Sequence, residues 1–183
     1  LAYLAHPVLG LVTTLMAALS LLYTLELKRI TALGNCFVGL LAAYPLWCWY
    51  CITSVDSGAW ILSVCCMLFI TGKEIFKTAE DHSGDQAAGI LTVSTRFGIA
   101  RANRVGALLM ATAVGMAWLP MLFSITNGYY LILQAAASTA VAVLVGHSFF
   151  LSAHDERVSG IYSRAGHVML FVMILTIATG IDI

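Results

Sequence analysis

Six apolar runs of about 20 residues each dominate this 183-residue sequence. They cover residues 1–23, 33–52, 57–76, 105–123, 129–151 and 165–183. At 1.5 Å rise per residue, each helix would reach roughly 30 Å, the thickness of a bilayer's hydrocarbon core. Inside that layer every peptide group needs an internal partner, so only helices and closed barrels can span it. Period-two alternation is absent, which argues against a barrel. The sequence therefore predicts an all-α fold, a polytopic membrane helix bundle with six transmembrane helices. No repeat or low-complexity linker divides residues 1–183, which read as one domain. The chain opens inside an apolar run at Leu1 with no charged n-region. The expectation is that it carries no signal peptide and that further N-terminal sequence precedes it.

Composition closes off the alternatives. Hydrophobic residues make up 61% and charged residues only 10%, against about 25% charged in an average soluble domain. With a mean hydropathy of +0.93, neither a soluble domain nor a disordered chain is compatible with the sequence. The formal net charge is zero, so a nucleic-acid partner has no electrostatic basis. Five cysteines form no framework: Cys48 and Cys51 make a CxxC, but no second pair or nearby histidine completes a zinc site. They read as small buried hydrophobes.

Six alternating spans place the first, third and fifth connections on one side. All nine Lys and Arg lie on or next to that side: Lys28, Arg29, Lys73, Lys77, Arg96, Arg101, Arg104, Arg157 and Arg164. The positive-inside rule makes it the cytoplasmic face or its topological equivalent. Trp47, Trp49, Tyr50, Trp60, Trp118, Tyr129 and Tyr130 gather near the second and fourth connections. That is the interfacial belt expected on the opposite side.

Seven of the nine acidic residues share the cationic side. Carboxylates contribute little to topology, so their collection there calls for a chemical reason. If the third helix continues past the membrane edge and Glu74 is set at zero, Asp81 falls at about −20° and Asp85 at about +20°. Lys77 lies near −60° and Thr78 near +40° on the same wheel. Asp81 and Asp85 repel each other at i,i+4 without a cation. Mg²⁺ suits them, since it takes one or two carboxylates plus phosphate oxygens and waters. The nearby cations Lys77, Arg96, Arg101 and Arg104 suit an anionic ligand. Together these groups describe a pyrophosphate site at a membrane surface, with the ligand's hydrophobic part among the helices. His82 points about 100° away from Asp81 and reads as a bystander.

The run Glu-Ile-Phe-Lys-x-x-Glu-Asp-x-x-Gly-Asp-x-x-Ala-Gly-Ile-x-Thr-Val-Ser-x-Arg-Phe-Gly at residues 74–98 resembles the second aspartate-rich motif of the UbiA superfamily of intramembrane prenyltransferases. The upstream run Leu22-Tyr23-Thr-Leu-Glu-Leu-Lys28-Arg29-Ile-Thr31-Ala-Leu-Gly34-Asn35 is similar to the family's Tyr…Lys-Arg-x-Thr segment, and Tyr162-Ser163-Arg164 also fits. The spacing from Glu74 to Gly89 looks closest to the branch that makes geranylgeranylglyceryl lipids. The resemblance implies a nine-helix bundle, of which these are the last six helices, with a cavity open to the cytoplasm. It also implies Mg²⁺, a prenyl diphosphate and a hydrophobic lipid or aromatic acceptor as cofactor and substrates. Asp81 and Asp85 then bind metal, with Lys77 completing the catalytic set. Lys28, Arg29, Tyr23, Glu74, Arg96 and Arg101 are the substrate-binding candidates, although Arg96 and Arg101 serve equally well as topology anchors.

Two departures stand out. The family's first motif, Asn-Asp-x-x-Asp, does not occur in these 183 residues, and Thr78 stands where many relatives have Asp. They sustain a second reading, a non-catalytic subunit of a membrane complex that keeps the fold. A transporter is disfavoured because charges cluster at helix ends rather than mid-helix. A phosphatidyltransferase is disfavoured because its Asp-Gly-x-x-Ala-Arg core is absent.

Overall fold

A computed structural model describes residues 7–25, 33–53, 58–123, 127–150 and 155–180. All regular structure among them is helical. In chain order the helices are α1 (Pro7–Leu25), α2 (Leu33–Thr53), α3 (Gly58–Glu80), α4 (His82–Ala87), α5 (Val93–Phe97), α6 (Ile99–Met116), α7 (Gly128–Phe150) and α8 (Glu156–Gly180). A 3₁₀ turn at Leu119–Phe123 follows α6. Among the described residues, three stretches have the length and apolarity to cross a membrane: Ile99–Leu122, Gly128–Phe150 and Glu156–Thr176. Pro7–Tyr23 and Leu33–Cys48 are shorter apolar helices.

Two boundaries differ from the sequence reading. The last helix begins at Glu156, not near Ala165, because Asp155 caps it: its Oδ1 accepts from the Arg157 amide at 2.9 Å. The helix expected from Val105 starts at Ile99, immediately after Gly98, whose φ of 87° ends α5 and redirects the chain. Only glycine adopts that backbone conformation at ψ 154° without strain. Charged residues that looked like loop thus occupy the first turns of helices.

Helix α3 is the hub, packed against α2, α6 and α8. Lipid offers no hydrophobic drive for helices to associate, so close packing and interhelical hydrogen bonds must hold the bundle. Small residues let the backbones approach. A Cβ on Gly72 would lie 2.6 Å from the Gly106 carbonyl oxygen, and one on Gly106 would lie 2.9 Å from that of Gly72. Helices α3 and α6 therefore cross backbone to backbone. The buried stripe of α6 (Ala102, Gly106, Ala107, Met110, Ala113, Val114) follows the helical period. Helix α7 buries Tyr130, Gln134, Ala137, Val141, Leu144 and Ser148 at alternating three- and four-residue steps.

Buried polar side chains add interhelical bonds. Asn103 Nδ2 donates to Ser159 Oγ at 2.9 Å, joining α6 to α8. Gln134 Nε2 donates to the Val114 carbonyl at 2.7 Å, joining α7 to α6. Large apolar side chains cover the outside, including Leu11, Leu21, Val143, Phe150, Val168 and Phe171. Such a surface suits lipid, not water.

Gly72→Val forces a side chain against the Gly106 backbone, which cannot move aside. The expected loss is about 1–3 kcal/mol of stability, read as a lower thermal midpoint in detergent. Gly115→Ala, where a Cβ meets nothing within 4 Å, is expected to leave the midpoint unchanged or raise it.

Candidate functional site

The C-terminal half of α3 is where the apolar helix acquires charge. The helix runs to Glu80, and the Asp81 amide still donates to the Lys77 carbonyl at 3.0 Å. Asp81 (φ −89°, ψ 13°) is the joint. Beyond it α4 continues, the Asp85 amide donating to the Asp81 carbonyl at 2.9 Å. Helical geometry therefore extends past Phe76 through Asp81, as the sequence reading expects, and on to Asp85 despite Gly84. Ser83 explains the joint. Its amide donates to Glu156 Oε1 at 2.8 Å, and its hydroxyl contacts the same oxygen. The start of α4 is thereby tied to the start of α8.

A cleft of about 310 Å³ opens against this stripe. Its α3–α4 wall consists of Glu74, Lys77, Thr78, Asp81 and Asp85. Tyr23 of α1 and Gly34 and Asn35 of α2 contribute the facing residues, and Ile90, Leu91 and Thr92 complete the lining. The cleft thus unites five of the nine predicted site residues: Tyr23, Glu74, Lys77, Asp81 and Asp85. Arg96 and Arg101 are exposed and are not among its lining residues. Arg96 instead lies over the Phe97 ring, 5.4 Å from its centroid. Lys28 and Arg29 lie outside the described residues, although the residues that line the cleft from α1 and α2 flank them in sequence.

The segment after α4 is shaped by its own motif residues. Gly89 takes φ 67°, which turns the chain back. Thr92 caps α5: its hydroxyl accepts from the Thr95 amide at 3.2 Å, and its own amide donates to Thr95 Oγ1 at 2.8 Å. Fully buried Ser94 donates to the Thr78 carbonyl at 2.7 Å. That carbonyl belongs to the last turn of α3, where helix geometry leaves acceptors without partners. The bond pins the 90–92 wall to the acidic stripe.

Sequence reasoning assigned no role to Gly34, Asn35, Ile90 or Thr92. The signal was available, since all four fall inside the two runs that carry the family resemblance.

The arrangement is an all-helical membrane bundle with an acidic cleft at the polar end of its central helix. The profile of the UbiA prenyltransferase family matches residues 1–179, and the chain belongs to that family. It is an integral membrane protein. Among curated relatives, the digeranylgeranylglyceryl phosphate synthase of Methanococcoides burtonii is 28% identical over 147 residues, 79% of this chain and 52% of the relative. That of Pyrococcus abyssi is 31% identical over 113 residues, 61% of this chain and 40% of the relative. A solved structure from work on the biosynthesis of digeranylgeranylglyceryl phosphate synthase in membranes shares the fold, with a TM-score of 0.80 and 23% identity. The match covers 93% of this chain and 60% of that one. The chain spans about half the length, or less, of the curated relatives it matches.

Ser94→Ala removes the donor to the Thr78 carbonyl in a buried setting. The expected cost is about 1–3 kcal/mol, with faster amide hydrogen exchange across residues 90–97 as the local readout.

Proposed function

We propose that this chain forms the diphosphate-binding side of an intramembrane prenyltransferase. The enzyme moves a prenyl group from its diphosphate to a hydrophobic acceptor. The observation that carries the reading is the cleft wall: Glu74, Lys77, Asp81 and Asp85 line one cavity at the C-terminal end of α3. The names of the curated relatives support a geranylgeranylated glyceryl phosphate lipid as the acceptor class. In this reading the six apolar segments are six spans, equivalent to the last six of a nine-helix bundle. The cleft opens to the cytoplasm or its equivalent.

The donor set fits Mg²⁺. Asp81 and Asp85 are hard oxygen donors one turn apart on the same cavity wall. No group of three His, Cys, Asp or Glu side chains suited to a metal occurs among the described residues. Two carboxylates, with the remaining positions left to water and phosphate oxygens, are how Mg²⁺ is commonly held. When bound, the ion supplies positive charge against the departing diphosphate.

The side chains divide the remaining work. Lys77 donates to diphosphate oxygens as the allylic C–O bond breaks and negative charge builds there. Lys28 and Arg29 are assigned as further cationic donors by their motif, a role supported by the position at the cleft of Tyr23 and Gly34, which flank them in sequence. Arg96 and Arg101, exposed beyond the cleft, fit headgroup anchoring better than substrate contact. The apolar helices exclude water from the allylic cation, which would otherwise be hydrolysed.

Asp81→Asn and Asp85→Asn in the full-length protein are each expected to lower turnover ~10²–10³-fold, by analogy with loss of an oxyanion-stabilising donor. Raised Mg²⁺ is expected to restore part of it. His82→Ala is expected to keep most activity. The assay is transfer from radiolabelled geranylgeranyl or farnesyl diphosphate to a panel of lipid and aromatic acceptors. Near-parental turnover in both Asp variants rejects the site. A parent that neither turns over nor binds the diphosphate favours the non-catalytic subunit.

Orientation has its own test. Asp56→Cys and Asn127→Cys are expected to label with an impermeant thiol reagent from one side of sealed vesicles, and His82→Cys and Arg157→Cys from the other. The labelling is run in a background without native reactive thiols. Labelling of all four from one side removes the six-span topology.

A further inference from the structure

We infer that Lys73 and His167 are a positioning pair that holds the Glu74 carboxylate in the cleft from behind. The inference rests on the prenyl-transfer reading above and adds two residues to it. Lys73 does not line the cleft. It lies inside the bundle with only 8% of its surface exposed. Its ammonium reaches Glu74 Oε1 at 2.8 Å and His167 Nε2 at 3.1 Å. The other ring nitrogen of His167, Nδ1, is 2.9 Å from the Ser163 carbonyl oxygen. A carbonyl only accepts, so Nδ1 carries the proton and Nε2 offers its lone pair to the ammonium. The chain of donors therefore has one direction: Lys73 gives one hydrogen bond to His167 and one to Glu74.

Helix α8 is shaped to receive this lysine. A Cβ on Gly166 would come within 2.8 Å of Lys73 Cγ, so the absence of a side chain there lets the lysine stem pass. Ser163, Gly166 and His167 follow one another at i, i+3 and i+4 on a single face.

Stability alone does not account for such a group. Burying an ammonium and a carboxylate costs desolvation that a packed apolar pair would avoid. What the pair provides is a fixed acceptor. Glu74 is the stripe's innermost carboxylate, seven residues or about 10 Å along the helix from Asp81. Without Lys73 its carboxylate is free to rotate about its side-chain torsions. With Lys73 it is held by a charge-assisted bond anchored on a second helix.

The test is a double-mutant cycle on the full-length protein. Lys73→Met is expected to lower kcat about 10- to 10²-fold through misplacement of Glu74. His167→Leu, at an exposed position on α8, is expected to act in the same direction without touching the core, and remains informative if Lys73→Met fails to fold. The signature of positioning is non-additivity: Lys73→Met combined with Glu74→Gln is expected to be no slower than Glu74→Gln alone. Independent, multiplicative losses overturn the proposal, as does parental turnover in His167→Leu. Histidine-selective ¹⁵N NMR supplies a readout that does not need turnover. His167 is expected in the Nδ1–H form and to shift in Lys73→Met. A parent without prenyl transfer refutes the functional reading. The pair is then judged by the NMR alone, and an unchanged His167 signal in Lys73→Met overturns it.

Discussion

The contact between the backbones of α3 and α6 at Gly72 and Gly106 sets the geometry of everything else. In a bilayer, helices gain little by hiding apolar surface from one another, because lipid tails are as apolar as their side chains. Proximity is what remains: dispersion over closely packed atoms and the few polar bonds that proximity permits. The mutual approach of Gly72 and Gly106 fixes α3 at the centre, within reach of α2, α6 and α8. Glycines at 160 and 166 on α8 instead make room for the side chains of Glu80 and Lys73.

A central helix is also an economical carrier of charge. On α3 the apolar core residues Phe69, Phe76 and Ala79 face neighbouring helices, and the stripe from Glu74 to Asp81 faces the cleft. Lys73 is the exception, buried on the side toward α8. The polar end of α3 is held from two directions. Ser94 takes up the carbonyl of Thr78, and Glu156 takes up the amide and hydroxyl of Ser83. The acidic wall is thus held by the segment that follows it and by the helix that closes the bundle. Neither of these two restraints uses the carboxylates of Glu74, Asp81 or Asp85, which line the cleft.

The stripe was legible in the sequence because it depends on helical periodicity alone. Once residues 74–85 are helical, Glu74, Thr78, Asp81 and Asp85 must share a face. The participation of Tyr23 was legible only through motif resemblance, since nothing in its own surroundings marks it. Arg96 and Arg101 show the limit of composition. Being cationic and close in sequence to the motif, they read equally as ligands for an anion and as topology anchors; Gly98 turns the chain between them, and both are exposed outside the cleft lining. The helix starts at Ile99 and Glu156 were missed because polar first turns resemble loops when only hydropathy is weighed.

Taken alone, the sequence determined the membrane as solvent, the helical class and the shared face of the carboxylates. Each follows from the length of an apolar run or the pitch of a helix, which are local properties. Only the tertiary structure decided which small residues become crossing points and that Lys73 meets His167 across 94 positions of sequence. It also decided that Asn35 and Thr92 share a cavity with Asp81. These juxtapositions depend on how far apart and at what angle two helices pack, and that is set by complementary side-chain shapes on both partners together, a quantity that no single stretch of sequence contains.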